Sequence, residues 1–317
     1  MRPLDGLTYG SICSGIEAAS AAWKELDWQP SWFAEVDPFC CEVLAHHYPD
    51  IPNLMDITAK EFLDDATPVD VLIGGTPCQA FSVAGRRRGF DDDRGNLTLR
   101  FLDVVGHIRP RWVVWENVPG VLSIDKGRTF GTILAKMAGH GYGWAYRILD
   151  AQYFGVPQRR RRIFLVGHSG GEWQRCSEVL AVAQSMSGHP PTRKASQETV
   201  AGGTGKSTKT HSHWAVTYDM RGNGNGKTVP PIIGDHANRP TDYTPVVVAR
   251  PGMQVRRLTP VECERLQGFP DNYTLIDRKG KPAADSPRYR AIGNSFAVPV
   301  VRWIGQRIAH IDKLRGQ

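Results

Sequence analysis

The chain has 317 residues, 41% hydrophobic and 22% charged, enough for one large domain with a packed core and a smaller one beside it. A formal charge of +7 favours an anionic partner. No apolar run approaches a membrane span and no charged-then-apolar leader opens the chain, so a cytoplasmic protein is expected. Six cysteines without a C-x-x-C pair or zinc-type histidine spacing imply reduced thiols and no metal.

In chain order, Leu7 to Ile12 reads as a strand, and Cys13-Ser14-Gly15-Ile16-Glu17 as a tight turn into a helix continued by Ala18, Ala19, Ala21, Ala22 and Trp23. A glycine turn between a first strand and a first helix lets a nucleoside approach the backbone closely. Trp32 to Ala34 forms a second strand ending in Glu35-Val36-Asp37. An acidic residue there suits ribose hydroxyls, the role given to Glu35, while Asp37 caps the helix opened by Pro38.

Val69 to Ile73 is a short β-branched run, read as a buried strand, and Gly74-Gly75-Thr76-Pro77 delivers Cys78 just past its end. Ligands of open α/β sheets bind beyond the carboxyl ends of the strands. A free cysteine is more often a buried, inert side chain. Here the preceding proline, the following Gln79 and the arginines Arg86, Arg87 and Arg88, which would lower the thiol pKa, favour a nucleophile. The glycine-flanked basic stretch 79–96 has no apolar face to bury and reads as a lid for a phosphate-rich ligand.

Leu97, Phe101, Leu102, Val105 and Ile108 share one helical face. Trp112 to Trp115 is a strongly apolar strand running into Glu116-Asn117-Val118. A carboxylate just past a buried strand end is poorly solvated, which would raise its pKa and let it donate a proton near neutrality. Tyr146 to Leu149 and Ile163 to Val166 read as two strands joined through Gln152–Gln158 and four arginines, Arg159 to Arg162. Alternation puts two of the four on one side.

Residues 185–254 are rich in Gly, Pro, Ser, Thr, Asn and His, with short strands expected within Trp214–Met220 and Pro245–Ala249; for residues 190–209 order and disorder stand equal. The Gly202–Thr208 run lacks the P-loop spacer and a preceding strand, so nucleotide hydrolysis is excluded. Thr259-Pro260-Val261-Glu262 carries a capping box, and Gly268 ends that helix. A last helix has Val300, Ile304, Ile308 and Ile311 on one face.

Several of these stretches, in this order, resemble the DNA (cytosine-5) methyltransferase family over residues 7–168 and 255–306. They are Pro77-Cys78-Gln79 with the following Gly-Phe and Arg-Gly-Asn, Glu116-Asn117-Val118, Gln158 to Arg162, the Arg-x-Leu-Thr-x-x-Glu-x-x-x-Leu-x-Gly-Phe-Pro segment and Gly293-Asn294-Ser295. The resemblance implies an α/β fold: a Rossmann-like S-adenosylmethionine-dependent methyltransferase domain with a mostly parallel sheet, residues 1–169 and 255–317, plus a small inserted target-recognition domain, 170–254. It implies methyl transfer to carbon 5 of cytosine within a specific double-stranded DNA sequence, through a covalent Cys78 adduct on a flipped-out base.

By the same resemblance Glu116 binds the target cytosine, and Arg160 and Arg162 face the site, holding the cytosine carbonyl oxygen or a phosphate. S-adenosyl-L-methionine would lie against Ser14, Gly15 and Ile16, with Cys13 in place of a usual aromatic residue and Glu17 in place of a usual glycine. Glu35, Val36, Asp56 for the adenine amino group, Ile57 over its ring, Pro77, Leu97, Asn294 and Ser295 complete the cofactor set. DNA contacts fall to Gln79, Ser82, Arg86, Arg87, Arg88 and Arg94, and in the recognition region to Arg221, Lys227 and Arg239, with Asn223 and Asn225 as further candidates. A monomer is the default, in a bacterial cell or phage-infected host, and a cognate restriction endonuclease is a candidate partner. The competing readings are an RNA (cytosine-5) methyltransferase and a catalytically inactive DNA-binding protein. A thiol redox enzyme is disfavoured because no resolving cysteine lies near Cys78.

Overall fold

The computed structural model describes residues 6–77, 93–181, 218–219, 245–246 and 257–314, without the side chains of 93–96, 218–219 and 245–246. The chain divides into two compact units: Met1–Leu149 with Arg161–Val182 and Val301–Gln317, and Asp150–Arg160 with Ala183–Val300.

The first unit is built on a six-stranded sheet in the order β2-β1-β3-β4-β6-β5, from β1 Thr8–Ile12, β2 Gln29–Ala34, β3 Val71–Gly74, β4 Trp112–Asn117, β5 Gly143–Asp150 and β6 Arg161–His168. Strands β1 to β4 are parallel and β6 runs antiparallel to β4. Ile12 pairs with Ala34 and with Gly74, and Gly74 pairs with Trp115. The carboxyl ends of the four parallel strands therefore share one edge of the sheet. The chain moves outward from β1 to β2 and then back across to β3, so a topological switch point lies between β1 and β3. Because β6 is reversed, its amino end returns to that same edge beside the end of β4.

Parallel strands are covered on both faces, which is why β3 is apolar, β4 is apolar as far as Trp115, and both are buried along their lengths. Val105, Phe101 and Leu102 of α4 (Asp93–Ile108) join Ile12, Leu72, Val113, Trp115 and Leu165 in the core. Gly74 is small for this packing: a Cβ there would sit 2.7 Å from the Phe101 ring. Helices not expected from the sequence include α5 (Arg128–Gly139), which buries Phe130, Ile133 and Met137, and α6 (Trp173–Leu180). Helix α1 (Ala18–Trp23) places Trp23 edge-on to Tyr9, and the Trp23 indole donates to the carbonyl of Val301 at 3.0 Å. Helices α2 (Pro38–His47) and α3 (Phe62–Asp65) complete the half that follows β2.

The second unit holds α7 (Pro260–Gln267), α8 (Asp285–Asn294) and a two-stranded antiparallel ribbon, β7 Tyr218–Asp219 with β8 Pro245–Val246, inside the stretches expected to be strands. The capping box of Thr259 and Glu262 and the left-handed Gly268 at the end of α7 are as expected. Residues 257–300 group with Asp150–Arg160 in this unit. The reason is a buried polar knot. Glu264 accepts from the Thr274 amide at 2.8 Å and lies 3.4 Å from the Arg288 guanidinium, while Gln158 donates to the carbonyl of Leu266 at 3.2 Å. The last helix, α9 (Val298–Lys313), buries Val300, Ile304, Ile308 and Ile311 as its periodicity predicts. Among the described residues no helix is long and apolar enough to cross a membrane.

Candidate active site

At the switch point the turn after β1 is stitched to the end of β2. The Ser14 hydroxyl donates to the carbonyl of Ser11 at 2.9 Å and accepts from the Ala34 amide at 3.1 Å. Gly15 has φ +58° and nothing lies within 4 Å of where a Cβ would stand, so its backbone borders open space. The Gly15 amide donates to the Glu35 carboxylate at 2.7 Å, and the amides of Val36 and Asp37 donate to the other carboxylate oxygen at 2.8 Å each. Glu35 is thus fixed by three backbone N–H groups, and its remaining lone pairs can accept hydroxyl donors. Asn53 locks it from behind: its amide oxygen accepts from the Glu35 amide at 3.0 Å and its NH₂ donates to the Glu35 carbonyl at 3.1 Å. Val36 is 57% and Met55 48% exposed. An open glycine turn, a fixed carboxylate and two exposed apolar side chains fit a nucleoside: hydroxyls on Glu35, an aromatic ring against Val36 and Met55.

One strand further along, Glu116 is 8% exposed, and Arg162 Nε stands 3.1 Å from its carboxylate. Glu116 lies within β4, opposite Phe164, rather than past the strand end as expected. Arg162 is the second residue of β6 and also donates to the carbonyl of Arg161 at 2.9 Å. The neighbouring Asn117 donates to the carbonyl of Thr76 at 3.1 Å, while the Thr76 hydroxyl bonds to that of Thr98 at 2.8 Å and accepts from the Trp115 indole at 3.0 Å. All four of these residues are buried. They fasten the turn that ends in Pro77, so the segment leading to position 78 is held beside the Glu116–Arg162 pair. Such an arrangement offers a carboxylate and a guanidinium, already paired, to a planar heterocycle with adjacent ring nitrogen and carbonyl oxygen.

The C-5 cytosine-specific DNA methylase family model matches residues 7–310. The chain belongs to that family. It is 31% identical to the type II methyltransferase M.HpaII of Haemophilus parainfluenzae, covering 97% of this chain and 90% of that one. It is 34% identical to a DNA N-6-adenine-methyltransferase of Escherichia phage P1 over 95% of its own length, spanning 61% of the phage protein. In three dimensions it resembles a putative DNA modification methyltransferase encoded within an E. coli prophage, with a TM-score of 0.66, 19% identity and coverage of 97% and 100%. Members of the C-5 methylase family take their methyl group from S-adenosylmethionine, which agrees with the nucleoside-shaped edge at β1 and β2.

With the family established, its expected site residues sort into three groups. Ser14, Gly15, Glu35, Val36 and Pro77 stand at the carboxyl edge of the first unit's sheet, as do Glu116 and Arg162. Ile16 is fully buried and Ile57 is 4% exposed within the core, so Met55 rather than Ile57 offers exposed apolar surface there. Asp56 is exposed, but one carboxylate oxygen already accepts from the Thr58 amide and hydroxyl, both at 2.8 Å. Leu97 packs against the core. In the second unit Asn294 ends α8 with its side chain exposed, and Ser295 is buried.

Arg160 requires a correction to the expectation that it faces the substrate. It is 3% exposed, and its guanidinium donates to the carbonyls of Gly293 at 3.2 Å and Ser295 at 2.8 Å. The carbonyls at the end of a helix lack intrahelical partners and attract a cation, and Arg160 supplies one to α8. Alternation along the arginine run therefore puts Arg162 at the site and sends Arg160 inward. Arg160→Ala is expected to lower the stability of the protein by about 3 kcal/mol, because buried carbonyls lose charged donors. Chemical denaturation would show this as a lower midpoint; an unchanged midpoint with a selective loss of turnover would return Arg160 to the substrate.

Asn53, Thr76, Thr98 and Asn117 shape the site without being singled out by the sequence as site residues, although Thr76 and Asn117 stand inside its motifs. Each acts through hydrogen bonds to residues far along the chain or across a turn. The catalytic candidate Cys78 and the DNA candidates Gln79, Ser82, Arg86, Arg87, Arg88, Arg221, Asn223, Asn225, Lys227 and Arg239 lie outside the described residues, as do residues 190–209 and the side chain of Arg94. The described cysteines are free thiols. Burial pushes that of Cys13 up to about 12 and raises those of Cys40, Cys176 and Cys263 as well, which makes them poor nucleophiles at neutral pH. Among the described residues no cluster of metal-ligating side chains occurs.

Proposed function

We propose that the protein transfers a methyl group from S-adenosylmethionine to carbon 5 of a flipped-out cytosine in a specific double-stranded DNA sequence, with Cys78 as nucleophile. The observation that supports this most is the Glu116–Arg162 pair at 3.1 Å, beside a turn that Asn117 fastens at Thr76, two residues before Cys78. Carbon 5 of cytosine is a weak nucleophile. Addition of the Cys78 thiolate to carbon 6 moves an electron pair onto the ring, while Glu116 hydrogen-bonds or protonates ring nitrogen 3 and Arg162 neutralises charge at the carbonyl oxygen. Carbon 5 can then take the electrophilic methyl group that the cofactor supplies. Loss of the carbon 5 proton to a base and expulsion of the thiolate restore the aromatic ring.

Gly15, Glu35, Val36 and Met55 would hold the nucleoside of the cofactor, and Asn294 and Ser295 are assigned to the cofactor on the family motif alone. The arginines at 86–88 and 94, with Arg221, Lys227 and Arg239, supply positive charge for phosphates and base edges. A base inside a stacked duplex is beyond reach of any thiol, so the target must swing out at a cost of a few kcal/mol. The type II names of several relatives make a restriction endonuclease a candidate companion.

A second reading comes from the phage P1 relative, whose name specifies adenine N6. An exocyclic amine attacks a methyl donor with its own nitrogen and needs no thiol adduct, so this reading leaves Pro77-Cys78 and the Glu116–Arg162 pair without work. That relative also extends well beyond the matched part, and this chain spans 61% of that relative's length. Duplex DNA carrying 5-fluorocytosine tests the covalent step. Fluorine cannot leave as a proton does, so the enzyme is expected to stall as a cofactor-dependent, denaturation-resistant complex with the DNA. Multiple turnover with no trapped complex would contradict the Cys78 mechanism.

A further inference from the structure

The turn that leads into α1 contains a group the proposed reaction does not use. Three of its residues have left-handed backbone, Cys13 at φ +51°, Gly15 at +58° and Glu17 at +61°, and only the middle one is glycine. A side chain bearing a Cβ is strained there unless its surroundings hold it. Glu17 is 0% exposed. Its Oε1 accepts from the Ser20 amide at 3.0 Å and the Ser20 hydroxyl at 3.2 Å, and Ser20 is hydrogen-bonded in turn to the Tyr9 hydroxyl. Its own amide donates to the carbonyl of Ser14 at 2.9 Å, closing the turn. The Ser11 side chain also acts on this carboxylate and favours its ionised form. Burying a carboxylate is costly, and a glycine would need neither the carboxylate nor the strained φ.

We propose that Glu17 is a positioning residue of the cofactor turn: its carboxylate locks the left-handed step from Gly15 into α1, and its charge beneath the turn favours the positively charged methyl donor over the neutral demethylated product. This rests on the reading that the Ser14-Gly15-Ile16 turn holds S-adenosylmethionine. Burial pushes the Glu17 carboxyl up to about 7, with the charge of Glu35 adding to the rise and the Ser11 and Ser20 side chains acting against it. The titratable groups that face it are Glu35 at the end of β2 and Tyr9 on β1. Neither offsets a negative charge, so a bound sulfonium would be the cation that does.

The sign follows from linkage. A cation bound above the turn favours the ionised carboxylate, so the complex holds fewer protons than the free protein, and affinity rises with pH through about 7. Isothermal titration of the whole protein with S-adenosylmethionine and with S-adenosylhomocysteine, from pH 6 to pH 8, reads this directly. Affinity for the methyl donor is expected to rise about tenfold and that for the product by much less, so discrimination grows with pH. Glu17→Gln keeps the shape and an acceptor at Oε1, and is expected to bind the donor with no such rise. Equal pH dependence for donor and product in the wild-type protein, or a rise retained in Glu17→Gln, would overturn the proposal. Glu35→Ala separates this from the underlying reading: if it leaves donor affinity at the wild-type level, the turn is not the cofactor site.

Discussion

Replacing Cys78 with alanine is expected to lower methyl transfer on the order of 10³-fold or more, with binding of DNA and of the methyl donor largely preserved. The asymmetry is the point of the experiment. Without a thiolate at carbon 6 the cytosine ring cannot place an electron pair on carbon 5, and no other described thiol substitutes. Burial holds up the thiol pKa of Cys13, Cys40, Cys41, Cys176 and Cys263. A filter-binding assay and a methyl-incorporation assay on the same preparation separate affinity from chemistry. Turnover near the wild-type rate would sink the covalent mechanism.

Glu116→Gln is the second large effect. The amide keeps the shape and can still form hydrogen bonds, but it cannot pass a proton to ring nitrogen 3, and it dissolves the ion pair with Arg162 Nε. Loss of acid catalysis and of charge stabilisation at one position is expected to lower kcat by about 10²–10³-fold, with KM for the methyl donor unchanged because Glu35 and Gly15 lie elsewhere on the edge. Trapping on 5-fluorocytosine DNA should slow in proportion, since attack on carbon 6 is the step that Glu116 assists. A kcat within a few-fold of wild type would assign Glu116 to structure and the proton to another group.

Much of this arrangement is legible in the residues alone. Short β-branched or aromatic runs punctuated by Gly15, Glu35, Gly74-Gly75 and Glu116 announce parallel strands whose ends carry chemistry, and the sheet has its strands there. Thr259, Glu262 and Gly268 announce a helix to the residue, because caps are local physics. What the sequence hides is non-local. Arginines 159 to 162 are chemically identical, and only carbonyls more than a hundred residues away decide that Arg160 turns inward. Helix α5 carries its signal in Phe130, Ile133 and Met137, but Gly131 and the left-handed Asp125, Lys126 and Gly127 before it blur the start. Asn53 and Asn117 look like ordinary turn residues, and their role lies in backbone groups across the sheet edge that they bind. Ile57, chosen as a cover for the adenine ring, has the right chemistry but faces the core, and Met55 stands out instead. Glu17 shows only as a residue standing where the family usually has glycine; its left-handed backbone and buried carboxylate exist only in the folded chain.

Nucleoside mass spectrometry is the most direct test of what the protein does. Unmethylated double-stranded DNA and total RNA are each incubated with the purified protein and S-adenosylmethionine, then digested and analysed. The expected result is 5-methylcytosine in the DNA and no methylated base added to the RNA relative to untreated RNA, with the pattern of modified sites giving the recognised sequence. N6-methyladenine in the DNA, or 5-methylcytosine confined to the RNA, would contradict a DNA cytosine-5 methyltransferase built on Cys78 and the Glu116–Arg162 pair.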